Sequence, residues 1–98
     1  MIWKVKGEGQ PVLQVFEDFY GNLWFVTEKI PDTKLCFGYV RLYSMPQLAE
    51  WGEFYDLAGL RKELGQNQVW EVNKKNWRNI NTYEKGLLIE TVPNPGFG

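Results

Sequence analysis

The chain alternates short apolar runs with turn-forming residues, which is the pattern of an antiparallel β-sheet. β-Branched and aromatic residues dominate residues 12–20 and 23–27, and the intervening Gly21-Asn22 is a hairpin signal. A turn of Pro, Asp, Thr and Lys then leads into a third segment of the same kind, residues 35–43. The three consecutive segments predict an antiparallel meander.

Shorter segments extend this predicted sheet. Residues 2–6 alternate apolar and basic side chains, as in an edge strand whose lysines resist edge-to-edge pairing. Residues 68–72 alternate as a fourth strand of the sheet, and residues 87–92 form the final strand. We therefore expect a sheet of about five strands.

Residues 23–26 are apolar on both faces of their strand. This predicts either a central strand that is covered on both sides or a strand with one face left for a partner. Gly38, inside the third segment, predicts the close approach of a neighbouring ring.

One main helix is predicted over residues 57–64. Asp56 is a plausible N-cap, Gly65 stands at the position of a C-terminal glycine, and three leucines form one apolar stripe. Shorter helical turns are predicted over residues 47–51, ended by Gly52, and over residues 74–80.

These elements predict one compact domain over residues 1–92, followed by a flexible tail over residues 93–98. The fold class is α+β, with an antiparallel sheet of about five strands that begins as a meander and one main helix packed on it.

The composition argues against catalysis. Sixteen of the 98 residues are aromatic, but the chain has no histidine and one cysteine. Without histidine there is no near-neutral imidazole base or metal ligand. The acidic residues Glu50, Glu53 and Asp56 are interpreted as a solvated loop, so we expect no enzymatic activity, no metal and no cofactor.

Charge and cysteine content point to the cytoplasm and away from membranes. Eleven basic and twelve acidic residues give a net charge of −1, which supplies no field for nucleic acid or anionic lipid. Cys36, between Leu35 and Phe37, is predicted to be a buried structural thiol. A single cysteine fits a reducing compartment, and no apolar run approaches the length of a membrane span. The oligomeric state is left open.

The aromatic content favours a contact-based function. Sixteen aromatic residues exceed what so small a core encloses, and exposed Trp and Tyr are favoured anchors at interfaces. We therefore predict a non-catalytic protein–protein interaction module. The expected partner-binding residues are Trp24, Phe25, Tyr39, Tyr43, Trp51 and Tyr55.

The alternative function is binding of single-stranded nucleic acid by residues 73–85. Basic side chains there would contact phosphates while aromatic side chains stack on bases. The residues of this alternative are Lys74, Lys75, Trp77, Arg78, Tyr83 and Lys85. The segment can instead fold back onto the core through Trp77 and Ile80, and the net charge of −1 favours that outcome.

Four short motifs carry a family resemblance. They are Trp24-Phe25-Val26-Thr27-Glu28, Phe37-Gly38, Glu50-Trp51-Gly52-Glu53-Phe54 and Leu57-Ala58-Gly59-Leu60. Over roughly residues 12–72 the chain resembles a small family of unknown function encoded mainly on plasmids and conjugative or integrated mobile elements. It departs from that family by an inserted Tyr55 and by Gly59, where a glutamate is expected. The resemblance implies an accessory protein of a mobile element or phage that binds a host factor.

Overall fold

A computed structural model describes residues 1–82 and 88–93 of the chain. In chain order its elements are β1 (Ile2–Val5), β2 (Gln14–Asp18), β3 (Leu23–Lys29), β4 (Leu35–Arg41), β5 (Ala49–Tyr55), α1 (Leu57–Leu64), β6 (Val69–Glu71), a 3-10 helix (Lys74–Thr82) and β7 (Ile89–Val92). Residues 94–98 of the predicted tail lie outside the described residues.

The strands form two antiparallel sheets. The larger has five strands in the order β5-β4-β3-β2-β6, and the smaller pairs β1 with β7. The sequence prediction of an α+β fold built on a meander is therefore confirmed, because β2, β3, β4 and β5 follow one another both along the chain and across the sheet.

The central strand β3 is buried on both of its faces. Leu23 and Phe25 belong to one apolar cluster, which we call the upper core, together with residues of β1, β7 and the 3-10 helix. Val26 belongs to a second cluster, the lower core, against which Trp24 also packs. This confirms the first of the two alternatives for residues 23–26.

The lower core is covered by α1. Asp56 caps the helix by accepting a hydrogen bond from the Gly59 backbone N–H at 2.9 Å. Leu60 is buried and Leu57 packs against the same cluster, but Leu64 is 46 % exposed. The prediction of a three-leucine stripe on the sheet is therefore wrong for Leu64, which borders an open hollow at the end of the β2–β3 hairpin.

The upper core is covered by the small sheet and the 3-10 helix. Trp77 is 3 % exposed, its Nε1–H donates to the Val72 carbonyl at 3.1 Å, and its ring meets Trp3 edge-to-face at 5.7 Å. Ile80 is also buried there. In the described part of the segment that was predicted as either a binding loop or a packed turn, Trp77 and Ile80 are thus packed on the core.

Residues 47–51 do not form the predicted helical turn. Residues 49–51 instead belong to the seven-residue strand β5, in which Gly52 pairs with Gly38. Four of the seven residues of β5 are exposed, so the burial that would produce a clear alternating pattern is missing. An edge strand with little burial is therefore hard to distinguish from a turn by sequence alone.

Gly38 is required by a backbone contact. A Cβ at this position would lie 1.7 Å from the carbonyl oxygen of Phe25, and the pairing of β3 with β4 shifts between Val26 and Glu28. The predicted neighbour, an aromatic ring, is therefore wrong: the close approach is to the backbone of β3 beside a β-bulge.

Gly59 in α1 is explained by Tyr55. A Cβ at Gly59 would lie 2.7 Å from the Tyr55 Cβ, so the two residues are in direct contact. The Tyr55 side chain therefore occupies the space that a side chain at position 59 would need.

Leu60→Ala is expected to lower the free energy of unfolding by about 2–4 kcal/mol, because it removes a buried leucine from the lower core. Leu64→Ala is the matched control on the same helix, and its exposed side chain is expected to cost less than about 0.5 kcal/mol. Chemical denaturation measures both. Equal losses in the two variants would contradict the assignment of the buried face.

Candidate functional site

Three aromatic side chains form an exposed cluster at one side of the large sheet. The Trp51 ring stacks on Phe37, with centroids 6.2 Å apart and an interplanar angle of 5°, and meets Tyr39 edge-to-face at 5.0 Å. Trp51 is 47 % exposed, while Phe37 and Tyr39 are half-buried. We call these three residues the edge aromatic cluster.

The register of β4 and β5 produces this cluster. Tyr39 pairs directly with Trp51, and Phe37 lies two residues away on the same face of β4. The Asp56 N–H donates to the Lys34 carbonyl, so Lys34 and Asp56 form a hydrogen-bonded pair in the same register. Because hydrogen-bonded and non-hydrogen-bonded pairs alternate along an antiparallel ladder, every second pair from there is hydrogen-bonded. The Tyr39–Trp51 pair is then of the non-hydrogen-bonded type, in which side chains stand closest together.

Tyr39 joins the cluster to the upper core. It packs against that core, and burial, assisted by the nearby Glu8 carboxylate, raises the pKa of its hydroxyl above the ordinary value. The phenol is therefore neutral across the physiological range. Within the cluster, Tyr39 is therefore held against the core and uncharged, and the Trp51 indole is the most exposed of the three rings.

The opposite face of β5 carries a hollow. Gly38 and Gly52 face each other there without side chains, and the hollow of about 420 Å³ beside them is lined by Trp24, Phe54 and Leu60 among others. The Trp24 and Phe54 rings meet edge-to-face at 5.2 Å. The outer strand of the sheet therefore has an aromatic cluster on one face and an apolar hollow on the other.

The six predicted partner-binding residues are distributed over four places. Tyr39 and Trp51 belong to the edge aromatic cluster, and Tyr55, 45 % exposed, ends the same strand. Trp24 lines the hollow on the opposite face. Phe25 and Tyr43 lie elsewhere.

Phe25 is fully buried in the upper core, so it contributes nothing to the exposed surface. Tyr43 is 60 % exposed, but its ring lies beside Gly21 at the β2–β3 hairpin, and its N–H donates to Asn22 Oδ1 at 2.9 Å. Phe37 was not among the predicted site residues. Its alternation with Tyr39 along one strand is the sequence signal that identifies it.

The residues of the nucleic-acid alternative do not form a stacking surface in the described part of the chain. Trp77 is buried, and Lys74 Nζ lies 5.8 Å from the centroid of its ring. Lys75 and Arg78 are exposed. Tyr83 and Lys85 lie outside the described residues. The stacking role predicted for Trp77 is wrong, because its indole fills the upper core.

The predicted acidic loop is also revised. Glu50 and Glu53 pair with Val40 and Phe37, which places them on opposite faces of β5, and Asp56 caps α1. Within residues 1–82 and 88–93, no group of three His, Cys, Asp or Glu side chains is placed to hold a metal ion.

Asp18 organises the end of the β2–β3 hairpin. Its carboxylate is 5 % exposed and accepts four hydrogen bonds of 2.9–3.2 Å. The donors are the Tyr20 and Asn22 backbone N–H groups, Asn22 Nδ2 and Trp24 Nε1. No local sequence pattern singles out Asp18, since only the fold brings the Trp24 indole to it.

Arg41 was not singled out by its sequence, although it is 2 % exposed. Its Nη2 donates to the Ile80 carbonyl at 2.9 Å, and its guanidinium lies 5.8 Å from the centroid of the Phe25 ring. It borders an open hollow of about 490 Å³ lined by Glu17 and several asparagines. The guanidinium ties the 3-10 helix to β4.

Cys36 is the predicted buried thiol. It is fully buried in the lower core, and its Sγ–H donates to the Phe54 carbonyl at 3.4 Å. Burial, with a smaller contribution from the Asp56 carboxylate, raises the pKa of the thiol to about 11, partly opposed by Lys29. The sulfur is therefore protonated at neutral pH and unreactive.

Comparison of the chain with protein-family models, with curated proteins and with solved structures found no match. In the described part of the chain, no helix is long and apolar enough to cross a membrane. The edge aromatic cluster, its strand and the adjoining hollow are therefore interpreted from their own geometry.

Asp18→Ala is expected to lower the free energy of unfolding by about 2–4 kcal/mol, because it leaves several donors without their acceptor. Glu17→Ala is the neighbouring control. It removes one exposed hydrogen bond, from Trp70 Nε1, and is expected to cost less than about 0.5 kcal/mol. Thermal denaturation of both variants compares them, and an undiminished stability of Asp18→Ala would refute the role of this carboxylate.

Cys36 is expected to resist an aromatic disulfide reagent at pH 8 in the native protein and to react after unfolding. Because the folded-state pKa is the higher one, the native thiol retains a proton that the unfolded thiol has released. The stabilisation that the buried, protonated thiol contributes is therefore complete below pH 9.0 and is lost as the pH rises towards about 11. Cys36→Ala is the control, and it should lose this part of the pH dependence. Rapid labelling of the native protein would contradict the assignment.

Proposed function

We propose that the protein is a non-catalytic protein–protein interaction module that binds its partner through the edge aromatic cluster. The observation that supports this proposal is the Trp51 indole, which is nearly half exposed although it stacks on Phe37 and contacts Tyr39. Such preorganised rings lose little side-chain entropy on binding, so they suit an interface anchor.

The surroundings of Trp51 support the same function. The indole stands on the outermost strand of the sheet, where a partner can approach it without moving another element. The hollow beside Gly52 offers a second apolar contact on the opposite face of the same strand. An interface built here has aromatic anchors at its centre and the carboxylates of Glu50 and Glu53 at its rim.

The resemblance to the mobile-element family supports a host protein as the partner, with this chain as an accessory factor. The free, buried thiol of Cys36 fits a reducing compartment, and we place the interaction in the cytoplasm. In the nucleic-acid alternative the base-stacking tryptophan is a core residue, so nothing in the described segment favours it.

Replacement of Trp51 by a photoreactive phenylalanine analogue tests the proposal. Irradiation in cell lysate is expected to give a cross-linked product that is sensitive to protease and resistant to nuclease. The control places the same analogue at Trp70, which is 39 % exposed on the opposite outer strand β6 and is expected to give no such product. Once the partner is isolated, Trp51→Ala is expected to weaken binding roughly thirtyfold, as for an interface hot spot of about 2 kcal/mol.

Two results would contradict the proposal. A nuclease-sensitive product at position 51 would identify nucleic acid as the ligand. Equal cross-linking from positions 51 and 70 would show that the edge aromatic cluster has no special role.

A further inference from the structure

We infer that the outer edge of β5 binds an extended, positively charged segment of the partner, which adds to the sheet as a further strand. This inference rests on the interaction function proposed above and specifies how the partner binds. It is carried by three observations: an unpaired backbone edge, a long and regular strand at that edge, and a one-signed charge along the strand.

The first observation is the unpaired backbone edge of β5 in the described part of the chain. Within residues 1–82 and 88–93, no strand pairs with the outer side of β5, which ends the order of the large sheet. The register that includes the Asp56–Lys34 hydrogen bond assigns Glu50, Gly52 and Phe54 to hydrogen bonds with β4. The N–H and C=O groups of the alternate residues therefore point outward. These residues are Ala49, Trp51, Glu53 and Tyr55.

Natural sheets usually protect such an edge. They use charged side chains, above all lysine, or proline, a bulge or a very short strand for this purpose. β5 is seven residues long, pairs with β4 without a register shift, and contains neither lysine nor proline. By contrast, the other outer strand, β6, has only three residues. In the described part of the chain, the large sheet therefore has one long, regular edge, and the charges on it, Glu50 and Glu53, oppose an acidic strand but not a basic one.

The acidic side chains of β5 favour a positively charged partner segment. The only charged residues between Arg41 and Arg61 are Glu50, Glu53 and Asp56, and all three are acidic. The two glutamates are exposed on opposite faces of the strand, so an added strand meets a carboxylate on each face. Opposite charges across neighbouring strands are stabilising and like charges are destabilising. A basic segment is therefore favoured.

The same charges disfavour a second copy of this chain. Antiparallel pairing of two β5 strands would bring four glutamates into one short seam. A basic, extended segment avoids this repulsion and can place an apolar side chain against Trp51. Strand addition also explains why the exposed indole lies on the edge strand rather than on a helix, because backbone pairing then supplies affinity and the indole supplies selectivity.

A synthetic peptide of alternating lysine and valine is the probe. The full-length protein is expected to bind it, with new protection from hydrogen exchange at the amides of Ala49, Trp51, Glu53 and Tyr55. The amides of Glu50, Gly52 and Phe54 are expected to be protected with or without the peptide. The matched probes are a glutamate–valine peptide and a lysine–valine peptide with alternate backbone nitrogens methylated. Neither is expected to bind.

Two pairs of variants separate charge from backbone pairing. The double variant Glu50→Lys/Glu53→Lys is expected to lose about tenfold in affinity for the lysine peptide. Glu63→Lys/Glu90→Lys makes the same charge change away from β5 and is expected to leave binding unchanged. Trp51→Ala is expected to retain part of the binding. Trp51→Pro, which also removes an outward N–H, is expected to abolish it.

The inference is overturned if the lysine peptide does not bind, if the two double variants behave alike, or if the N-methylated peptide binds as well as its parent. It is also overturned if the alternating protection develops with protein concentration alone, which would identify a second copy as the occupant. In each case, cross-linking of another protein from position 51 would leave the proposed function standing. Loss of that cross-link as well would overturn both.

Discussion

The two apolar faces of β3 each need a separate cover, and the rest of the fold follows from this requirement. Phe25 directs its ring into the upper core and Val26 its side chain into the lower core, so neither face can be left to water. In the described residues, α1 covers the lower core, and the β1–β7 pair and the 3-10 helix cover the upper core. Both covers are centred on β2 and β3.

That arrangement leaves β5 with little cover. The strand is anchored to β4 by continuous pairing, yet most of its residues are exposed. The edge aromatic cluster is a consequence of this position: Tyr39 is held by the upper core, and Trp51, one strand further out, extends beyond it. The surface that we propose for binding is therefore the part of the large sheet that the described residues leave least covered.

The sequence predicted the elements whose signals are local. The bounds of α1 were predicted correctly because Asp56 and Gly65 mark its ends, and the meander was predicted because runs of β-branched and aromatic residues are separated by turn-forming residues. Residues 47–51, which include the start of β5, were predicted as a helical turn, since exposure on both faces of β5 removes the alternation that identifies a strand. The contacts of Asp18 with Trp24 and of Gly38 with the Phe25 carbonyl depend on strand register, which no single segment encodes.

The unequal lengths of the two outer strands limit how far the sheet can grow. Continuous growth from molecule to molecule requires two compatible edges on each copy, and a fibre forms only when neither is blocked. Here β5 offers seven residues, whereas β6 offers three and has the Trp70 indole bonded to Glu17 beside it. Of these two edges, only β5 is long enough to pair with an added strand over seven residues, so growth of the large sheet through both of its edges is disfavoured.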